Sequence, residues 1–167
     1  VAITPAGDLI AAGGWTGGVD GKYAIYLFTP EGHLVKRISG LTNLATHLAF
    51  SPDGRWLAAA LERDGIRIFD RESGWTTAAS DTDCGDPVDG LAFAKDGRLA
   101  TTCRDGHVRV YNASFRRIKR QRITAGDHPA GIAFHPDGDR LAVGFQDTPA
   151  VLLLDAQTLK ARPRQPD

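Results

Sequence analysis

The sequence has no methionine, only two cysteines and no apolar stretch near the length that crosses a bilayer. It also lacks the charged and apolar regions of a secretory signal, so neither a membrane span nor an export leader is expected. Cys84 and Cys103 are too few for a disulfide framework and stand without metal-ligand spacing; free thiols in a reducing, cytoplasmic setting are expected. Charge of one sign is missing as well. Twenty Lys and Arg face twenty Asp and Glu, which leaves no bulk field to draw nucleic acid or an anionic membrane, and neither is expected as a partner. With no Met and Val1 first, the sequence is expected to be a segment of something longer.

Long amphipathic helices are absent too. The 19 Gly and 9 Pro fall at short intervals, and no apolar face persists at helical spacing. What fills the chain instead is a series of apolar runs of four to eight residues, each bounded by Gly, Asp, Asn or Pro. At 167 residues and 42% hydrophobic, the chain can bury a core as one all-β unit.

The runs repeat. "LAFSPDGRWLAAALERDGIRIFD" ends at Asp70, and related stretches run from Gly90 to Asn112 and from Gly131 to Asp155. The first residues fit the same frame with Ile3 at the aromatic position. The anchors Ile3, Phe50, Phe93 and Phe134 are separated by 47, 43 and 41 residues, the period of a four-stranded propeller blade. Four blades are expected, over 1–41, 42–85, 86–127 and 128–167.

Within a repeat, residue type assigns roles. Leu48-Ala49-Phe50, Leu91-Ala92-Phe93 and Ile132-Ala133-Phe134 are apolar on both faces, as an inner strand between neighbouring blades requires. Each runs into a turn closed by Asp-Gly, where Asp bonds locally and Gly takes positive φ. The second strand carries small residues, as in Leu57-Ala58-Ala59-Ala60, that let sheets approach. A second turn follows at Asp64-Gly65, Asp105-Gly106 and Asp147-Thr148. The third strand alternates, as in Ile66-Arg67-Ile68-Phe69, so one of its faces is expected to be partly wet. The fourth is the least regular: Leu34 to Ile38, Thr76 to Ala79, Arg116 to Ile123, and a weak one after Leu159.

These units resemble the WD repeat (tryptophan-aspartate repeat). Phe28-Thr29, Phe69-Asp70, Tyr111-Asn112 and Leu154-Asp155 stand at its signature dipeptide. The family's Gly-His before the first strand is missing, so its buried tetrad is incomplete in every blade. The turn aspartate survives at Asp64, Asp105 and Asp147, with Asp20 a fourth candidate. The resemblance implies part of a seven- or eight-bladed β-propeller, with degenerate repeats like those of bacterial signalling or caspase-like multidomain proteins. Four blades leave two apolar end faces, to be covered by further blades of a parent protein or by a second copy that closes the ring as a homodimer.

No catalytic, cofactor or metal site is read. His33, His47, His107, His128 and His135 are scattered over the repeats, and no nucleophile elbow, phosphate loop or dinucleotide fingerprint is present. Asp81-Thr82-Asp83 with Asp86 lacks calcium-loop spacing and reads as a solvated loop. The basic run Phe115 to Arg122, with Lys160, Arg162 and Arg164 further on, reads as a solvated edge that resists aggregation. By the resemblance, the loops after each second strand and before each first strand share one face, which in WD-repeat proteins receives peptides or partner domains. The candidate partner-binding residues there are Trp15, Asn43, Arg63, Asp89, Arg104, His128 and Gln146. A non-catalytic scaffold or sensor for a protein or peptide is the expectation. A propeller-type hydrolase or lyase is the alternative, to be marked by an acidic cluster of Asp20, Asp86 and Asp89.

Overall fold

The computed structural model describes residues 1–16 and 22–162. Four antiparallel sheets follow one another along the chain, each built from consecutive strands. The first holds β1 (Ala2–Ile3), β2 (Ile10–Ala12), β3 (Tyr23–Phe28) and β4 (Leu34–Leu41); the second β5 (His47–Phe50), β6 (Trp56–Ala60), β7 (Ile66–Asp70) and β8 (Thr76–Asp81). The third holds β9 (Val88–Phe93), β10 (Leu99–Cys103), β11 (His107–Tyr111) and β12 (Arg117–Arg122). The fourth has three strands, β13 (Pro129–Phe134), β14 (Arg140–Phe145) and β15 (Val151–Asp155). Among the described residues no α-helix forms, and one 3-10 turn occurs at Glu62–Asp64. Among the described residues no helix is long and apolar enough to cross a membrane.

Each first hairpin closes as the turn residues dictate. Gly7, Gly54, Gly97 and Gly138 all take positive φ, and each donates its N–H to the carbonyl three residues back, at Thr4, Ser51, Ala94 and His135. In the last three turns the aspartate also accepts a backbone bond two residues on, as Asp53 does from Arg55 and Asp96 from Arg98.

The sheets pack face to face in series. Between the first and second lie Ala11, Ile25, Leu27, Ile38, Leu57 and Phe69. Between the second and third lie Ala58, Ala60, Ile68, Leu91, Leu99 and Tyr111, and between the third and fourth lie Ala100, Val108, Val110, Leu141, Val143 and Leu154. The inner strands β1, β5, β9 and β13 are neighbours in turn. Side chains tie them together: Thr46 Oγ1 donates to the Val88 carbonyl at 2.9 Å, and Thr102 Oγ1 donates to the Ala130 carbonyl. The arrangement is four propeller blades in order.

Three expectations are corrected here. Cys84 and Cys103 are not free thiols: they form a disulfide joining the loop before β9 to the end of β10. Their closeness comes from the β9–β10 pairing, which sets Cys103 opposite Val88 and brings the preceding loop alongside. The third strand of the third blade is not wet on one face, since Arg109 is 1% exposed. The last blade lacks a full fourth strand among the described residues; only a bridge between Leu154 and Ala161 continues the sheet.

Candidate functional site

The loops after the second strands and before the first strands lie side by side because backbone bonds join them. Thr46 N–H donates to the Ala60 carbonyl, Arg104 N–H to that of Pro87 and Gln146 N–H to that of His128, all at 2.9–3.0 Å. One end of the blades therefore carries both loop sets, and the seven candidate residues belong to it.

Their surroundings differ. Trp15 is 83% exposed and, among the described residues, meets Tyr23 in an edge contact with ring centroids 6.1 Å apart. Residues 17–21 of its loop, Asp20 included, lie outside the described residues. Asn43 turns inward on its own loop, its Oδ1 accepting from Leu44 N–H at 2.9 Å. Arg104 grips Asp89 through Nε at 2.6 Å, a pair half in solvent. Arg63, on the 3-10 turn, stands 3.8 Å from Asp86 with its side chain largely exposed. His128 and Gln146 meet through backbone, and Asp147 binds that junction by accepting from the Asp127 and His128 N–H groups at 2.8 and 3.1 Å. Those two bonds hold the Asp147 carboxyl below the usual carboxylate range. The structure thus joins Asp89 to Arg104 and His128 to Gln146, while Trp15 and Asn43 keep to local contacts. Asp89 pairs with Arg104 and Asp86 stands near Arg63, while the charge of Asp86 also reaches Arg104. Asp20 lies outside the described residues.

Sequence reasoning missed the densest charge cluster. Asp81 and Asp83 are not a solvated loop: Arg117 reaches them at 3.2 and 2.6 Å, and Arg120 reaches Asp83 at 3.4 Å. Behind them the buried Arg109 holds Asp105 at 2.6 Å and donates to the Asp83 carbonyl at 3.4 Å. Tyr111 donates its hydroxyl to Asp81 at 2.9 Å, and burial together with that carboxylate pushes the phenol well above its ordinary value. Burial alone would raise the Asp105 carboxyl, but the hydrogen bond and charge of Arg109 outweigh it and hold it low. Three arginines and three carboxylates so lock the second blade to the third. Two of the basic residues of β12 are committed to this network, which leaves Lys119 and Arg122 of the strand, with Arg116 just before it, toward solvent.

Among the described residues, two groupings have the side chains of metal ligands. Cys84, Cys103 and Asp105 converge, but the sulfurs are joined to each other and Asp105 serves Arg109. His135, Asp137 and Asp139 converge at the exposed turn of the last blade, where Arg140 already binds both carboxylates at 3.1–3.2 Å.

Comparison with known proteins follows this geometry. The family described as "WD domain, G-beta repeat" matches residues 25–70 and 77–112, a span centred on the second and third blades. The chain is similar to telomerase protein component 1 of Rattus norvegicus, 26% identical over 148 residues that cover 87% of this chain and 5% of the relative. The mouse counterpart is 28% identical over 153 residues, again 5% of its length. An uncharacterized WD repeat-containing protein of Synechocystis is 26% identical over 107 residues, 64% of this chain and 30% of the relative. The chain therefore spans a small part of the relatives that it matches.

Proposed function

The chain is a WD-repeat β-propeller segment, and from that premise we propose that it is a non-catalytic docking unit that takes a peptide or a partner domain on its rim loops. Repeats of this family generally mediate protein–protein interaction. A relative named as a protein component fits the same role. The observation that carries the proposal is Trp15, a large aromatic left 83% in solvent on the loop face. Exposed Trp and Arg side chains are the residues that most often anchor an interface, and Arg63 and Arg104 stand on the same loop set. The alternative of a propeller-type hydrolase or lyase finds less support, since Asp86 and Asp89 are each drawn to an arginine.

Selection of binders from a displayed random-peptide library against the whole chain tests this reading. Selected peptides are expected to lose binding by roughly ten-fold or more on Trp15→Ala, the size of a modest hot spot, with the β-sheet circular dichroism unchanged. Peptides indifferent to Trp15→Ala and Arg104→Ala would overturn it.

The end faces raise a second contact. Toward the next blade, the sheets present small residues on the second strand and branched ones on the third: Ala58 and Ala60 with Ile66 and Ile68, then Ala100 with Val108 and Val110. Toward the preceding blade they present bulk, as in Leu57 with Phe69 and Leu99 with Tyr111. The outer face of the last blade repeats the first pattern with Ala142 and Gly144 beside Val151 and Leu153, the latter two 64% and 44% exposed. The outer face of the first blade repeats the second pattern with Ile10 and Phe28 opposite each other and Ile3 exposed. Head meets tail in kind. We propose that a second copy of the chain covers both ends, closing eight blades about a two-fold axis.

A further inference from the structure

We infer that the junction of the first and second blades holds a carboxylate-binding groove, which takes an acidic side chain of the docked partner. The inference rests on the rim-docking reading above and names the chemistry of one contact.

The junction of the first and second blades differs from that of the second and third. Arg67 and Arg109 occupy the same place in their blades: Arg67 pairs with Ala59 in register, Arg109 with Thr101, and the residues two further on are Phe69 and Tyr111. Each reaches back to a backbone carbonyl of the preceding blade. Arg109 donates to that of Asp83 at 3.4 Å, and Arg67 donates to that of Gly40 at 3.1 Å. Gly40 thus stands where Asp83 stands, but without a carboxylate. The outer strands differ in the same sense. Arg109 is opposite Arg120, whereas Arg67 is opposite Ser80; His107 is opposite Arg122, whereas the corresponding loop end of the second blade carries Thr82. Long charged side chains at one junction are replaced by glycine and hydroxyl residues at the other.

The vacated space is a groove of about 380 Å³ whose walls include Thr42, Arg63, Arg67, Ser80 and Thr82. Asp64 also borders it, yet no carboxylate of the described residues lies within ion-pair distance of Arg67. At the junction of the second and third blades, three arginines face three carboxylates. In the groove Arg63 has Asp86 at 3.8 Å, and the charge of Arg67 is unmatched among the described residues. An added carboxylate balances that charge, with a guanidinium fork and two or three hydroxyl donors to receive it. Because Arg63 is exposed and holds Asp86 only at 3.8 Å, it is able to close over the ligand.

The test is a titration of the full chain with three blocked pentapeptides, Gly-Ala-Glu-Ala-Gly and its Gln and phosphoserine counterparts, followed through the arginine Nε resonances. The Glu peptide is expected to shift Arg63 and Arg67 saturably, at about one-tenth the concentration that the Gln peptide needs, while Arg109 stays still. Arg67→Gln should abolish the response. Thr42→Asp, an exposed substitution that supplies the groove with a carboxylate of its own, should weaken it by a similar factor. Equal shifts at every exposed arginine, response to phosphoserine alone, or indifference to both substitutions would overturn the inference. None of those results touches the Trp15 test, whose failure would instead remove the docking reading itself.

Discussion

Arg109 shows how one side chain couples two blades. Its guanidinium is almost wholly out of water, and its charge is met by Asp105 on its own blade and Asp83 on the loop of the preceding one. Removing one partner of such a pair strands the other, and Arg109→Ala is expected to lower the unfolding free energy by about 3 kcal/mol in urea titrations at neutral pH. The pH dependence has a definite sign. Asp105 is held below its unfolded value, so its contribution is complete above about pH 4 and is lost as the pH falls through the folded value. The gap between the parent chain and Arg109→Ala should therefore narrow in acid. A loss under about 0.5 kcal/mol at neutral pH would mean that the pair behaves as a surface one. The alternation of Ile66-Arg67-Ile68 and Val108-Arg109-Val110 reads naturally as a wet face. It is dry at Arg109 because the preceding blade, with its Asp83 loop, covers it, and only long-range packing decides that.

At the scale of elements, the strands and first turns were legible because their causes are local. Asp-Gly after an apolar triplet needs only its own φ angles and side-chain bonds to make a turn. The second turns were legible as turns and not as contacts. Asp105 and Asp147 occupy the same repeat position, yet one binds an arginine of its own hairpin and the other caps two N–H groups about twenty residues away. The disulfide was illegible for the same reason: composition argues against a framework of bridges, while the single bridge depends on β9 and β10 lying in register. With it goes the free-thiol argument for a reducing compartment. Blade spacing offers a test at this scale. A Cβ on Gly90 would run into the Ala130 carbonyl and the Thr102 hydroxyl, the contact that sets the third blade against the fourth. Gly131 has open space at the same junction and no positive φ. Gly90→Ala is expected to cost roughly 1–3 kcal/mol and Gly131→Ala to be near neutral, read from thermal or urea unfolding. Equal effects would place the inter-blade contact elsewhere.

For the molecule as a whole, the repeat period announced the blades, and the size pattern of their faces says what each end expects. Val151 and Leu153 at one end are exposed apolar side chains set in positions that are buried at every internal junction, and Ile3 at the other stands where Phe50, Phe93 and Phe134 are partly buried. The rim residues Trp15, Arg63 and Arg104 were reached through the family resemblance, but their partners, such as Asp89 for Arg104, depend on strand packing that the repeats do not spell out. Apolar faces of this kind mark interfaces, and the match in kind between the two ends is what the proposed head-to-tail contact would use. The most direct test is the solution mass of the chain by light scattering after size exclusion. The account predicts twice the 17.9 kDa of one chain, falling to a monomer when Val151 and Leu153 are both replaced by Asp. A stable, well-behaved monomer of the parent chain would contradict ring closure by a second copy.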